Sequence, residues 1–223
     1  MTAMAMTGVP SVTMQETRRR VERRVRKAGL EPTTASLDRL VDYLLLLAQW
    51  NVRMNLTGLE RPDDAVDRLI VEPLLAAREL GDAATCLLDI GSGGGSPAIP
   101  LKIARPALTV TMVEAKTRKS VFLREVVRHL GLTNCHVETV RFEHLLARPA
   151  YLEAMDVVSI RAVRVEVQEL RTLQAFLAPG GRMFWFVSGA QVLPMVPPPL
   201  TLVSEVSLVE SLRSRLVVLR KQL

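Results

Sequence analysis

The chain contains little cysteine and few aromatic residues. Its two cysteines, Cys86 and Cys135, both fall in apolar segments with the pattern of buried strands, so we interpret them as reduced thiols in the core of a cytoplasmic protein. Aromatic residues make up 4% of the chain, too few to indicate a stacking platform for single-stranded nucleic acid. No pair of cysteine or histidine residues has the spacing of metal ligands, and we therefore expect no metal cofactor.

Long apolar runs are also missing. No segment reaches the ~18 apolar residues that a membrane-spanning helix needs, and the N-terminus lacks the basic start of a secretory signal. Hydrophobic residues nevertheless make up 48% of the 223 residues, enough for a sizeable core. We expect a cytoplasmic protein without membrane contact, and we expect residues 1–12, which carry no periodic pattern, to be disordered.

Positive charge is in excess. Lysine and arginine number 29 against 23 acidic residues, a net charge of +6, and the basic residues cluster in two segments. Such patches attract the phosphates of a polyanion, although solvated helix faces with local acidic partners would give the same pattern. The residues that we predict to contact nucleic-acid phosphates are Arg18, Arg19, Arg20, Arg23, Arg24, Arg118, Lys119 and Arg124.

The order of hydrophobic patterns predicts the architecture. Residues 13–82 have helical periodicity, with helices expected at 15–28, 36–50 and 62–80. Strands are then expected at 85–90, 109–114, 135–140, 156–160 and 181–187, and helices at 97–104, 117–130 and 163–177. A turn is expected at 179–181, and two β-rich runs, at 200–209 and 212–219, predict a terminal hairpin at the sheet edge.

Alternating strands and helices predict an α/β fold, in which a mostly parallel, seven-stranded sheet has helices on both faces. The helices that precede it form an N-terminal extension. We therefore divide the chain into residues 1–12, a helical region at 13–82 and a cofactor-binding domain at 83–223.

A glycine cluster between a strand and a helix is the most informative motif. Asp89 lies near the strand end, and Gly91 and Gly93 begin a turn in which the backbone can approach a ligand beside the free N–H groups of a helix. Glu114 ends the next strand, 25 residues after Asp89, where a carboxylate can bind a ribose. A dinucleotide site would need glycine in place of Ser96. The pattern Asp-x-Gly-x-Gly-x-Gly instead resembles the S-adenosylmethionine site of Rossmann-like methyltransferases; a turn that binds nothing is the alternative.

Further segments extend the resemblance to one family. Residues 50–57 (WNVRMNLT) and 89–101 (DIGSGGGSPAIPL) resemble two motifs of the glucose-inhibited division protein B family, and shorter likenesses lie at 114–123, 130–132, 141–145 and 159–163. The likeness runs from about residue 37 to about residue 189. Members of this family are bacterial methyltransferases that modify guanine N7 in small-subunit ribosomal RNA.

This resemblance implies a Rossmann-like class I methyltransferase that uses S-adenosyl-L-methionine, acts as a monomer and binds small-subunit ribosomal RNA or the small subunit. It places Ser96 and the glycine loop at the cofactor and Phe142 and Glu143 beside its adenine. Ser96 could also cap the helix that follows. Arg161 is expected to position substrate or cofactor, in a cleft and outside the core. No general base is expected, because guanine N7 has a free lone pair and the methyl group of the cofactor is already activated.

Two departures from the family pattern concern the substrate side. Leu69 stands where the family usually has histidine, and Ser188 stands where its fifth strand usually ends in lysine. Two other classes therefore stay open. One is a methyltransferase of the same fold that acts on a small molecule or a protein, and the other is a non-catalytic RNA-binding relative.

Overall fold

The computed structural model describes residues 13–58, 61–161, 165–189 and 193–222. The α-helices are α1 (Met14–Lys27), α2 (Thr34–Met54), α3 (Pro62–Val66), α4 (Glu72–Ala76), α5 (Ala98–Ala104), α6 (Thr117–His129) and α7 (Val167–Leu173). The strands are β1 (Cys86–Ile90), β2 (Thr109–Val113), β3 (Cys135–Glu138), β4 (Met155–Arg161), β5 (Leu177–Ser188), β6 (Leu200–Ser207) and β7 (Ser214–Lys221). Residues 1–12, expected to be disordered, and the first residues of the helix expected at 163–177 lie outside the described ranges.

The seven strands form one sheet in the order β3-β2-β1-β4-β5-β7-β6. Strands β1 to β5 are parallel, and β7 pairs antiparallel with both β5 and β6. The α/β architecture and the terminal hairpin predicted from the sequence are therefore confirmed. The strand order reverses between β1 and β4, and ligands of open α/β sheets bind at the carboxyl ends of the strands at such a point.

The beginning of β5 differs from the expected turn at 179–181. The strand starts at Leu177, and its pairing with β4 shifts register between Met155 and Val157. Gly181 lies inside this irregularity, where an added Cβ would be 2.8 Å from the Ala178 carbonyl oxygen. The glycine therefore permits a close backbone approach within a bulged strand, a geometry that sequence patterns do not separate from a turn.

The third predicted helix is present, but its middle is not α-helical. Residues 67–71 form a π-helical turn (Asp67–Val71) between α3 and α4, in which the Glu72 N–H donates to the Asp67 carbonyl. This bond leaves the Arg68 carbonyl without its usual partner, and Pro73 has no N–H to donate to the Leu69 carbonyl. Two carbonyls of one helical turn therefore accept side-chain donors instead, that of Arg68 from Arg161 and that of Leu69 from Ser96.

The N-terminal helices pack on the sheet through a shared hydrophobic core. Val21 of α1, Leu40 and Tyr43 of α2, and Ile99 and Phe122 of the sheet-covering helices are all buried in one cluster. A second cluster covers the opposite sheet face beneath α7. The boundary at residue 82 stays a prediction. Within the described ranges, no helix is long and apolar enough to cross a membrane.

Candidate cofactor and substrate site

A cavity of about 500 Å³ opens at the carboxyl ends of the central strands, where the strand order reverses. Its walls come from α2 and the loop after it, the π turn, the loop between β1 and α5, the first turns of α6, and the ends of β4 and β5. The residues that line it are Leu47, Leu56, Thr57, Gly58, Arg68, Leu69, Gly91, Ser92, Gly93, Gly94, Ser96, Lys119, Arg161 and Ser188. The volume falls in the range of ~300–1,000 Å³ typical of small-ligand sites.

The glycine loop has the backbone geometry that the sequence predicted. Gly91 and Gly93 have φ angles of 70° and 52°, in the region that favours glycine. Glu114 fixes the loop from β2, because its carboxylate accepts the N–H of Gly93 at 3.0 Å and that of Lys116 at 2.8 Å. The prediction that Gly91, Gly93 and Glu114 bind a cofactor stays a prediction, and the structure brings the three together at one edge of the cavity.

Gly94, the next glycine, packs closely against α2. An added Cβ on Gly94 would lie 2.9 Å from Leu47 Cδ1 of α2, and the Gly94 carbonyl accepts a 2.6 Å hydrogen bond from the Tyr43 hydroxyl. Burial raises the pKa of Tyr43, so its hydroxyl stays protonated and remains a donor at neutral pH. The N-terminal helices therefore hold the glycine loop from outside the sheet domain. Sequence patterns do not mark Tyr43, because its bond to Gly94 joins residues 51 positions apart.

The motif at residues 50–57 builds another wall of the cavity. The Asn51 amide bridges the chain after α2, accepting the Thr57 N–H at 2.8 Å and donating to the Thr57 carbonyl at 3.0 Å. Asn55 ends α2 with a φ of 48°, and the Trp50 ring lies 5.6 Å from the Phe122 ring of α6. This closed loop places Leu56 and Thr57 against the cavity.

Asp89 lies beneath the glycine loop, with an exposed fraction of 1%. The Ser159 hydroxyl of the neighbouring strand donates to its Oδ1 at 2.6 Å, while Oδ2 is buried and has no hydrogen-bond partner among the described residues. Burial raises the pKa of Asp89 to about 6, against the opposing effects of the Ser159 and Ser92 hydroxyls and of Arg161. Its direct contact with a cofactor stays a prediction, and Asp89 is not among the residues that line the cavity.

The raised pKa of Asp89 makes the free energy of unfolding depend on pH. The folded state holds the Asp89 proton up to about pH 6 while the unfolded state loses it near pH 4. The ionised carboxylate therefore destabilises the fold as the pH rises through about 6, by roughly 3 kcal/mol at most. We expect Asp89→Asn to increase the free energy of unfolding at pH 8, with a gain that shrinks as the pH falls toward 4. Urea unfolding of both proteins across this range measures the difference, and a difference independent of pH would contradict the burial of a charged Asp89.

Arg161, the last residue of β4, is more buried than expected. Its side chain is 10% exposed, stacks 4.3 Å from the centre of the Phe186 ring, and places Nη2 3.1 Å from Glu72 Oε2. Nη1 donates to the Arg68 carbonyl that the π turn leaves free. The expectation that Arg161 lies outside the core stays a prediction, although the neighbouring helical run contacts its guanidinium. It still lines the cavity, and its Nε and Nη2 make no well-aligned hydrogen bond among the described residues.

Ser96 does not cap the following helix. The cap position of α5 is Pro97, which makes no side-chain capping bond. The Ser96 hydroxyl instead donates at 3.0 Å to the Leu69 carbonyl, which Pro73 leaves without an N–H partner. The expected capping by Ser96 is therefore wrong, and its hydroxyl bonds across the cavity wall instead. Contact between Ser96 and a cofactor stays a prediction.

The residues expected beside adenine lie farther along the same edge. Phe142 and Glu143 begin a 3₁₀ turn (Phe142–Ala147) after β3, and neither belongs to the cavity wall. Phe142 packs partly buried on the second core cluster, while Glu143 is exposed and 3.8 Å from the Arg141 guanidinium. Their contact with adenine stays a prediction.

Most of the basic residues predicted on α1 are held by acids. Four of them make ion pairs to neighbouring elements or within α1: Arg18 to Glu22 and Asp38, Arg20 to Glu16 and Asp63, Arg23 to Asp63, and Arg24 to the buried Asp67. Within the described ranges Arg19 has no ion pair. The sequence indicated pairing within α1 and missed the acids on later helices, which lie up to 43 positions away. The geometry favours a bracing role for these side chains, and phosphate contact by them stays a prediction.

The second basic segment is placed differently. Lys119 lines the cavity, whereas Arg118 is exposed on the first turn of α6, where the structure records no ion pair for it. Arg124 donates to the Val137 carbonyl at 3.1 Å and to the Thr139 hydroxyl at 2.6 Å. Among the described residues no group of three acidic, cysteine or histidine side chains could hold a metal ion.

The fold is that of the Rossmann-like methyltransferases. The structure is similar to the mitomycin 7-O-methyltransferase MmcR, with a TM-score of 0.58 at 16% identity over 92% of this chain and 67% of that one. It is also similar to an S-adenosylmethionine-dependent methyltransferase from Aquifex aeolicus, with a TM-score of 0.55 at 15% identity over 76% of this chain and 97% of that one. At these identities the likeness establishes the fold.

The chain belongs to the family described as rRNA small subunit methyltransferase G (GidB), whose model matches residues 36–192. The family predicted from the motifs is thus confirmed. Ribosomal RNA small subunit methyltransferase G of Roseiflexus sp. (strain RS-1) is 38% identical over 151 residues, 68% of this chain and 63% of that protein. The protein of that name from Ralstonia nicotianae is 36% identical over 177 residues, 76% of this chain and 78% of that one. The chain thus spans less than two thirds of the length of the Roseiflexus relative.

Proposed function

We propose that this protein is an S-adenosylmethionine-dependent methyltransferase that methylates guanine N7 in small-subunit ribosomal RNA. The observation that supports this proposal is that the residues matched by the family model include those that line the cavity. Every residue of the cavity wall, from Leu47 to Ser188, falls within the matched residues 36–192. The part of the chain that resembles the family is therefore the part that builds the site.

The glycine loop is the part of the site that we propose binds the cofactor. Gly91 and Gly93 leave the cavity floor free of side chains, and Glu114 keeps lone pairs that can accept the hydroxyls of a ribose. Asp89 and Glu114 place two carboxylates next to this loop, and these would favour a ligand that carries a positive sulfonium. When bound, S-adenosylmethionine supplies an activated methyl group and needs no metal.

The opposite wall is the proposed substrate side. Arg68, Lys119 and Arg161 together place three positive charges on the cavity wall. The closed loop that holds Leu56 and Thr57 forms the wall on the side of α2. Guanine N7 has no proton to lose, so these residues need to bind and orient the base, and alignment of the reacting atoms carries the acceleration.

We further propose that RNA phosphates bind the α6 side of the cavity, through Arg118, Lys119 and Arg124. Arg118→Ala is then expected to reduce the log–log dependence of RNA binding on salt by roughly one unit. Arg23→Ala is the matched control, because Arg23 is equally basic but forms an ion pair with Asp63 at 2.8 Å. Filter binding of small-subunit rRNA at several salt concentrations measures both slopes. Equal slopes for Arg118→Ala and the unmodified protein, with a reduced slope for Arg23→Ala, would assign the contacts to α1 instead.

Transfer of a labelled methyl group is the direct test of the activity. The chain is incubated with labelled S-adenosylmethionine and either naked small-subunit rRNA or assembled small subunits, and N7-methylguanine is located by reduction and aniline cleavage. We expect label at guanine N7 in one of the two RNA forms. Cofactor binding with label in a protein or small molecule would favour the first alternative class, and RNA binding without any transfer would favour the non-catalytic one.

We also propose that one copy of the chain suffices for this reaction in the cytoplasm. All described walls of the cavity come from a single chain. Sedimentation of the active protein at assay concentration tests this, with a single monomeric species expected.

A further inference from the structure

Glu72 is a buried carboxylate outside the cavity wall. It has an exposed fraction of 1% and begins α4, immediately after the π turn. Its Oε2 lies 3.1 Å from Arg161 Nη2, and its Oε1 lies 3.8 Å from Arg68 Nε. Both arginines line the cavity. Glu72 therefore lies between the guanidinium groups of Arg68 and Arg161 and does not itself line the cavity.

The π turn adds a second constraint on the same arginine. Since the Glu72 N–H donates to the Asp67 carbonyl, the Arg68 carbonyl is free to accept from Arg161 Nη1. The side chain of Glu72 thus pairs with Nη2 of Arg161. Its backbone N–H bonds to Asp67 and so leaves the Arg68 carbonyl for Nη1. The Phe186 ring, 4.3 Å from the guanidinium carbon, fixes the plane of the group. Three different contacts define one orientation of the guanidinium.

A buried ion pair such as Glu72–Arg161 adds little to the stability of the fold. Removing two charges from water is costly, and buried pairs are often no better than apolar side chains of the same volume. The contacts also leave Arg161 donors without aligned partners, which a purely structural pair would be expected to satisfy. Burial raises the pKa of Glu72, an effect that Arg161 and Arg68 oppose, and burial lowers the pKa of Arg161, an effect that Glu72 opposes. Each partner therefore favours the charged form of the other, against the effect of burial.

We propose that Glu72 is a positioning residue for methyl transfer, which acts by holding the Arg161 guanidinium in the orientation that the RNA substrate meets. This inference rests on the proposed function. The Arg24–Asp67 pair, one turn earlier, provides the contrast, because Asp67 is just as buried but its carboxylate pairs with α1 on the side away from the cavity.

A double-mutant cycle between Glu72→Gln and Arg161→Met tests the inference. Single-turnover rates are measured with saturating S-adenosylmethionine and saturating rRNA, beside thermal melts, with Asp67→Asn as the matched control. We expect Glu72→Gln to slow transfer at least about tenfold. In the Arg161→Met background it should slow transfer by less than about threefold, since the residue through which it acts is gone. Asp67→Asn should lower the melting temperature and keep the rate within about twofold of the unmodified protein.

The double variant keeps the test informative if Glu72→Gln alone does not fold. It buries no lone charge, so we expect it to melt above either single variant and to remain slow. A fast double variant, a fast Glu72→Gln, equal slowing by Glu72→Gln in both backgrounds, or an Asp67→Asn as slow as Glu72→Gln would overturn the inference. A wild-type chain that transfers no methyl group would instead overturn the proposed function, and the inference with it.

Discussion

Replacement of Arg161 with alanine is expected to slow methyl transfer to small-subunit rRNA at least about tenfold, a loss of ~1.4 kcal/mol of transition-state stabilisation. The guanidinium lines the cavity, and its positive charge there favours a phosphate or the acceptor atoms of a guanine edge. The same change should lower the melting temperature, because it leaves Glu72 as a buried carboxylate without its nearest cation. Single-turnover rates with saturating cofactor, taken well below the melting temperature, separate the two effects.

Arg161→Lys is the control for charge alone. An ammonium group lacks the planar fork that reaches both the Arg68 carbonyl and Glu72, so we expect little recovery of the rate. The melting temperature should recover in part, since the buried carboxylate regains a cation. A wild-type rate in the alanine variant would remove Arg161 from the site.

Gly91→Val is expected to abolish binding of S-adenosylhomocysteine. Gly91 has a φ of 70°, which a β-branched residue adopts only under strain, and a branched side chain there would fill the cavity floor. Gly131→Val is the matched control, since Gly131 has a φ of 59° and open space around it but does not line the cavity. Calorimetric titration measures both.

We expect Gly131→Val to lose stability and keep affinity for the ligand. Equal loss of affinity in both variants would mean that strain in the fold, and not occupation of the cavity, explains the result. Tight binding of NAD by the unmodified chain, with no response to S-adenosylhomocysteine, would contradict the cofactor assignment itself.

The parts of the fold that the sequence predicted are those governed by local patterns. Apolar runs predict the strands, and the helices expected at 15–28 and 62–80 are each followed by a glycine, Gly29 and Gly81. The glycine loop was recognisable because a strand, an acid, a turn and a helix must follow one another along the chain. The motif at residues 50–57 was recognised by likeness, and the closing bonds of Asn51 supply its physical basis.

What the sequence did not predict depends on contacts between distant segments. The acids that hold α1 lie on later helices, so the basic run suggested free cations where the structure has ion pairs. The π turn has one visible signal, the proline at position 73, but periodicity cannot distinguish a bond to the fifth preceding residue from one to the fourth. The burial of Arg161 follows from that turn, and it was therefore missed as well.

The central claim is that this chain methylates guanine N7 in small-subunit rRNA by means of the cavity at the ends of β1, β4 and β5. Mass mapping of small-subunit rRNA from cells with and without the chain tests it most directly. We expect one guanine to carry an N7 methyl group when the chain is present, to lose it when the chain is removed, and to regain it with the wild-type chain but not with Arg161→Ala. Identical methylation maps in the two kinds of cell would contradict the claim.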